Sequence, residues 1–184
     1  LMANPTPSKI ALLGNPNSGK SSLFNHLTGL NQKIGNFPGI TVEKKTGLSV
    51  LPNGSSIEII DLPGIYSIYP RSLDEKIVAE VLLDHHSTAT PDKTIVIVDG
   101  TNLKRGFLLL TQIIDLDLPT ILALNMMDLA AKAGISYDFN ALSKELGIPV
   151  VPINARNGVG LEELKRQISL PLEPPKKIVF NIWK

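Results

Sequence analysis

Gly14-Asn15-Pro16-Asn17-Ser18-Gly19-Lys20-Ser21-Ser22 decides the fold of this chain. The spacing is G-x-x-x-x-G-K-S, the pattern of a phosphate-binding loop. Gly14 and Gly19 let the backbone curl with no side chain in the way, so successive N–H groups can face a ring of phosphate oxygens. Lys20 puts a point charge on the β- and γ-phosphates, and the Ser21 hydroxyl suits one position around Mg²⁺. Asn15, Pro16, Ser18 and Ser22 complete the nucleotide-facing stretch. Such a loop needs a strand before it and a helix after it. Lys9–Leu13 is a short apolar strand, and Ser22–Leu30 carries Leu23, Phe24 and Leu27 on one helical face. The helix N-terminus then directs its dipole at the phosphates.

Outward from that loop, strands and helices alternate. Residues 31–41 show no periodicity and contain Gly35, Pro38 and Gly39, so they read as a mobile loop. Thr41–Leu51 is a strand, Pro52-Asn53-Gly54 a hairpin turn, and Ser56–Asp61 the next strand. Leu62–Arg71 is a second loop. Ser72 and Glu75 form a capping-box signature ahead of a helix that buries Ile77, Val78, Val81 and Leu82. Lys93–Asp99, Pro119–Asn125 and Ile148–Ile153 are apolar strands. Helices are expected at Leu103–Leu116, Met127–Ala133, Asn140–Leu146 and around Leu161, Leu164 and Ile168. This order predicts an α/β fold of the P-loop NTPase type, like that of small GTPases. It has a mostly parallel six-stranded sheet, one antiparallel edge strand and helices on both faces. Ligands of such sheets bind at the carboxyl ends of the strands.

The chain has 184 residues, enough for one domain with a sizeable core. Its net charge of +1 gives no basis for nucleic-acid or membrane-surface binding by bulk charge. With no cysteine, disulfides and thiolate metal sites are excluded. No apolar run approaches the length of a bilayer span, and no signal peptide is visible. The expected layout is a disordered leader over 1–8, the folded domain over 9–170, and a linker from Pro171 to Pro175. Ile178, Val179, Phe180, Ile182 and Trp183 then read as the start of a further domain.

Asp61-Leu62-Pro63-Gly64 is D-x-x-G at a strand end. The Asp61 carboxylate can hold Mg²⁺ through water, and the Gly64 N–H can reach a γ-phosphate. Thr41 offers a second hydroxyl to Mg²⁺, made when a γ-phosphate orders its loop, so the two loops form a switch. Asn125-Met126-Met127-Asp128 has N-x-x-D spacing after a strand. The Asp128 carboxylate can accept hydrogen bonds from the N1–H and exocyclic N2–H₂ of guanine. Adenine lacks that donor pair and would leave Asp128 unpaired. Met126 stands where Lys is usual. Asn154-Ala155-Arg156 resembles the Ser-Ala-x motif whose backbone N–H meets guanine O6, with Asn in place of Ser.

Taken together, these motifs, the loop Gly35-Asn36-Phe37-Pro38-Gly39-Ile40-Thr41-Val42-Glu43 and the run Asp61-Leu62-Pro63-Gly64-Ile65-Tyr66-Ser67 resemble the GTPase domain of the FeoB family, bacterial ferrous-iron transporters. The resemblance runs from about Lys9 to Ser169. It implies phosphate contacts from Gly19, Lys20 and Ser21, with Gly39 beside the nucleotide, and Mg²⁺ ligation by Ser21 and Thr41. It also implies guanine recognition by Asn125 and Asp128, and K⁺ beside the phosphates with Asn17 as a ligand. The implied cofactors are GTP or GDP, Mg²⁺ and K⁺. The implied partners are a C-terminal helical regulatory domain and a membrane permease of the same protein. The resemblance thus implies a cytoplasmic domain of an inner-membrane protein, with self-association left open and no nucleic-acid partner.

Lys20, Thr41, Asn17 and Gly64 are the candidate catalytic residues for slow GTP hydrolysis. Ile65 stands where many GTPases carry a water-orienting Gln, and no Arg lies in 31–41 to act in cis. K⁺ held by Asn17 would neutralise developing charge instead. His26, His85 and His86 read as solvated rather than as an iron site. Two other readings stay open: a soluble GTPase of ribosome assembly or RNA modification, and a nucleotide-binding module with negligible turnover.

Overall fold

The computed structural model describes residues 7–29, 31–37, 41–83 and 90–175. Strands β1 (Ser8–Gly14), β2 (Gln32–Asn36), β3 (Glu43–Val50), β4 (Ser56–Asp61), β5 (Lys93–Asp99), β6 (Thr120–Asn125) and β7 (Val150–Pro152) form one sheet. Helices α1 (Lys20–Thr28), α2 (Leu73–Leu83), α3 (Leu103–Ile114), α4 (Met127–Lys132), α5 (Phe139–Leu146) and α6 (Leu161–Ser169) connect or cover them.

The sheet order is β2-β3-β4-β1-β5-β6-β7. The pairs β4–β1, β1–β5, β5–β6 and β6–β7 are parallel, whereas β3 is antiparallel to both β4 and β2. The α/β class is as the sequence predicts. Among the described residues the strands number seven rather than six, because Gln32–Asn36 pairs with Glu43–Gly47 inside the stretch expected to be a loop. The antiparallel strand is therefore not the edge; β2 lies outside it. Ser8 belongs to β1 and pairs with Ile57, so the folded part begins one residue earlier than expected. Residues 1–6 and 176–184 lie outside the described residues, as do His85 and His86.

Alternate residues of the central strands feed two cores, as the two-residue strand period requires. Ile10, Leu12, Ile95 and Ile97 pack with Leu23, Phe24 and Leu27 of α1 and with Leu161, Leu164 and Ile168 of α6. Ala11, Leu13, Val96 and Val98 pack on the other face with Ile77 and Val78 of α2 and Leu109 and Ile113 of α3. Each face gains roughly 1.5–3 kcal/mol per fully buried large aliphatic side chain, before chain entropy is counted. The capping box ahead of α2 is complete: Ser72 Oγ accepts from Glu75 N at 3.2 Å, and Glu75 Oε2 accepts from Ser72 N at 3.1 Å.

α3 approaches β5 closely at Gly106, where a Cβ would come 2.3 Å from Val98 Cγ1. Gly106→Ala is expected to cost about 1–3 kcal/mol through overpacking, read as a lower thermal midpoint. Val98→Ala in the same chain should recover part of it. A single variant melting with the parent would mean that α3 can shift outward freely.

Candidate nucleotide-binding site

The five parallel strands β4, β1, β5, β6 and β7 end on one edge of the sheet, and there the sequence motifs meet. β1 is flanked by β4 and β5, so the chain leaves it at the point where strand order reverses. The phosphate loop bridges β1 and α1. Asn17 adopts a left-handed backbone at φ 65, and Gly19 caps α1 at φ 95. Asn tolerates that region better than most residues. A Cβ at Gly14 would sit 2.6 Å from Ile97 Cγ2, and one at Gly19 would sit 2.2 Å from Asn125 Nδ2. Both positions admit glycine only, so the curl expected of the motif is enforced by packing as well as by backbone freedom.

Lys20 and Asp61 meet directly, Nζ donating to Oδ1, with their side chains 11% and 9% exposed. The loop after β4 is laced to the phosphate loop by backbone. Leu62 N donates to Leu12 O at 3.2 Å, Ile65 N to Gly14 O at 3.1 Å, and Asn15 Nδ2 to Ile65 O at 3.2 Å. Gly64 lies against Pro16, its Cβ position 3.2 Å from Pro16 Cα. Ile65 is 2% exposed and belongs to the core shared with Phe37 and Ile77. Its side chain points into the protein and has no part in positioning water.

Asn125 is the hub of the loops beyond β6 and β7. It is 3% exposed. Its Nδ2 donates to Ser18 O at 2.8 Å, and its Oδ1 accepts from Ala155 N at 2.9 Å. One buried amide therefore ties the phosphate loop to the loop after β7. Asp128 is exposed in the first turn of α4, with Met126 before it at φ 60. Asn154 Oδ1 accepts from Arg156 N at 3.0 Å, which tightens that loop, and Arg156 O lies 3.2 Å from His26 Nε2. The Ala155 N–H expected to meet guanine O6 is thus engaged by Asn125 in this conformer. Tyr137 donates its phenol proton to Gly100 O beside these strand ends; burial, then the Asp99 charge, raises its pKa.

Ser21 and Ser22 are exposed at the start of α1. Thr41 is exposed on the turn before β3, whose base is closed by Phe37 N donating to Val42 O at 3.1 Å. Gly39 lies outside the described residues. On β3, Lys45 pairs with Glu43 at 2.9 Å, and that hydrogen bond raises the ammonium pKa. Among the described residues, no group of three or more His, Asp or Glu could hold a metal ion by itself. Among the same described residues, no helix is long and apolar enough to cross a membrane.

Two features escaped the sequence. Arg105 of α3 lies 4.9 Å over the Tyr66 ring and donates to its hydroxyl. A polar cavity of about 60 Å³ separates Asn15–Ser18 from Asp99, Asn102 and Arg105. Ser18 Oγ, which is buried beside it, has no hydrogen-bond partner among the described residues. A larger cavity, about 670 Å³, lies at the opposite edge of the sheet, by Ser8, Leu51, Ile57 and Ile168. None of the motif residues lines it.

A family model described as "Ferrous iron transport protein B" matches residues 8–168. This chain belongs to that family. The Fe(2+) transporter FeoB of Leptospira biflexa is 47% identical over 160 residues, covering 87% of this chain and 23% of the relative. That of Escherichia coli K12 is 43% identical over 163 residues, covering 86% and 20%. The chain therefore spans about a fifth of the length of these curated FeoB relatives. Among solved structures, the cytosolic domain of Legionella pneumophila FeoB superposes with a TM-score of 0.86 at 40% identity, covering 93% of this chain and 73% of the other. The G domain of Thermotoga maritima FeoB gives 0.78 at 43%, covering 88% and 96%. The T. maritima cytosolic domain in its GMPPNP form gives 0.80 at 44%, covering 88% and 62%. These matches favour the FeoB reading over a GTPase of ribosome assembly or RNA modification.

Proposed function

We propose that this chain is the guanine-nucleotide switch domain of a ferrous-iron transport protein, and that it hydrolyses GTP slowly. The observation that carries the reading is Asn125, whose single buried side chain joins the phosphate loop to the base loop. A phosphate pocket and a base pocket held by one amide suit a ligand that carries both groups. Solved relatives bound to GDP or in a GMPPNP form support the same ligand class.

The residues fit the ions the resemblance implies. Ser21, Thr41 and Asp61 are the hard oxygen donors that Mg²⁺ takes, and Asp61 already lies against the phosphate lysine. Asn17 carries an exposed amide on a left-handed turn of the phosphate loop, a suitable oxygen donor for K⁺. When bound, the ions neutralise charge on the triphosphate. Lys20 adds its own positive charge to the same oxygens, and Gly64 presents an N–H that no side chain obstructs. With Ile65 turned into the core, water is oriented by backbone groups, and the bare rate stays low. The iron pathway would lie in the parts of the longer relatives that this chain does not span.

Hydrolysis of GTP with Mg²⁺ in KCl and in matched NaCl, with ATP as control, tests this reading. Turnover should be specific to GTP and higher in KCl. Asn17→Ala should erase the difference between the salts. Equal handling of ATP would overturn the base assignment. A second reading, a nucleotide-dependent switch with negligible turnover, is favoured by the burial of Ile65. It predicts GTP binding with no phosphate release in either salt.

A further inference from the structure

The loop after β4 is held from two sides. Toward β1, Ile65 is fixed by Gly14 O and by Asn15 Nδ2. Toward α3, Tyr66 lies under the Arg105 guanidinium and accepts its hydrogen bond. Two turns further along the same helix, Gln112 Oε1 accepts from Ile68 N at 2.9 Å. Positions 105 and 112 are about two helical turns apart and so share one face. That face grips alternate residues of the loop, one by its ring and the next by its backbone. Tyr66 is 41% exposed, so little else packs it in place.

We infer that Arg105 and Gln112 form a latch that sets the resting position of this loop and biases the domain toward nucleoside diphosphate. The inference rests on the guanine-nucleotide reading above. Lys20 is bonded to Asp61 in this conformer, and the same ammonium is the group suited to β- and γ-phosphate oxygens. Either nucleotide brings a β-phosphate that draws Lys20 from Asp61, but only a third phosphate also draws Gly64 toward itself, which pulls on residues 65–68. The diphosphate makes no such demand. The latch therefore opposes only the triphosphate, by an amount set by one cation–π contact and two hydrogen bonds. Arg105 and Gln112 touch no phosphate in this scheme and are positioning residues.

The test is calorimetric titration of the chain with GDP and with GMPPNP, alongside thermal melting. For Arg105→Ala combined with Gln112→Ala, GMPPNP affinity relative to GDP should rise about 5-fold or more. The GDP affinity itself should hardly move. Arg105→Lys keeps the charge but loses the planar stack. It should shift the ratio the same way by less, and it serves if the double variant does not fold. A merely structural role would lower the melting midpoint and weaken both nucleotides together. An unchanged ratio in folded variants would overturn the latch and leave the nucleotide reading intact. A parent chain that binds neither nucleotide would overturn both.

Discussion

Asp128→Asn is expected to move the base preference of this domain from guanine to xanthine. In the guanine-nucleotide reading proposed above, the carboxylate at this position would accept from both N1–H and the exocyclic amino group of guanine. An amide offers one acceptor and one donor, so it meets guanine's amino group with a donor of its own. Xanthine carries a carbonyl at that carbon and matches the amide. Two hydrogen bonds to a charged group, at about 1.5–3 kcal/mol each, put the loss of guanine affinity at about 100-fold or more. Asp128 is exposed in the first turn of α4, so the exchange should leave the fold intact. Competition between GDP and XDP for the parent and the variant reads the effect directly. GDP affinity equal to the parent's would remove Asp128 from the site.

Gly19→Ala should damage the site and the fold together. Gly19 has φ 95, and an added Cβ would fall 2.2 Å from Asn125 Nδ2. The methyl would push that amide off Ser18 O and Ala155 N. Two buried backbone groups would then lose their partner, at about 1–3 kcal/mol each. For a domain of this size a loss of that order lowers the melting midpoint by about 5–15 °C. Nucleotide binding should fall below detection, because phosphate and base loops lose their common tie. Gly134→Ala is the control. Gly134 also has positive φ, at 74, but nothing stands within 4 Å of its Cβ position. It isolates backbone strain from contact. Equal losses in the two variants would show that strain alone explains Gly19.

Most of the architecture could be read before any coordinates. The strands at β1, β4, β5 and β6 are short apolar runs, and β1, β4 and β6 each end on the residue that opens a motif. β2 was invisible for a physical reason. Its residues Gln-Lys-Ile-Gly-Asn contain a single large apolar side chain, Ile34, and that side chain is 68% exposed. β2 exists because β3 offers it a ladder of backbone partners, not because it buries a face. Residue types also indicated which residues gather at the site, but not how they are wired. Asn125 reads as a base contact from its spacing to Asp128. Its actual bonds run to a backbone carbonyl and a backbone N–H, groups that every residue but proline carries and no sequence displays. Arg105 and Tyr66 lie 39 positions apart in the chain, and neither shows a local pattern that names the other. The depth of Ile65 was likewise hidden, since an apolar residue after a turn can face either way.

The ladder between β2 and β3 also limits how the Thr41 segment can respond. Asn36 is in register with Glu43, and Phe37 bonds back to Val42, so Thr41 lies just beyond the last stitch of a two-stranded ribbon. Thr41 hangs one residue, about 3.8 Å of Cα spacing, from that last stitch. A tether so short forbids a wide swing of Thr41 alone. Either Thr41 engages its ligand by a local turn of a few ångströms, or the whole two-stranded ribbon tilts on β4 and carries it. In the second case the outer strand acts as a lever arm, and a label on exposed Ile34, two register positions below the Asn36–Glu43 pair, would move when nucleotide arrives.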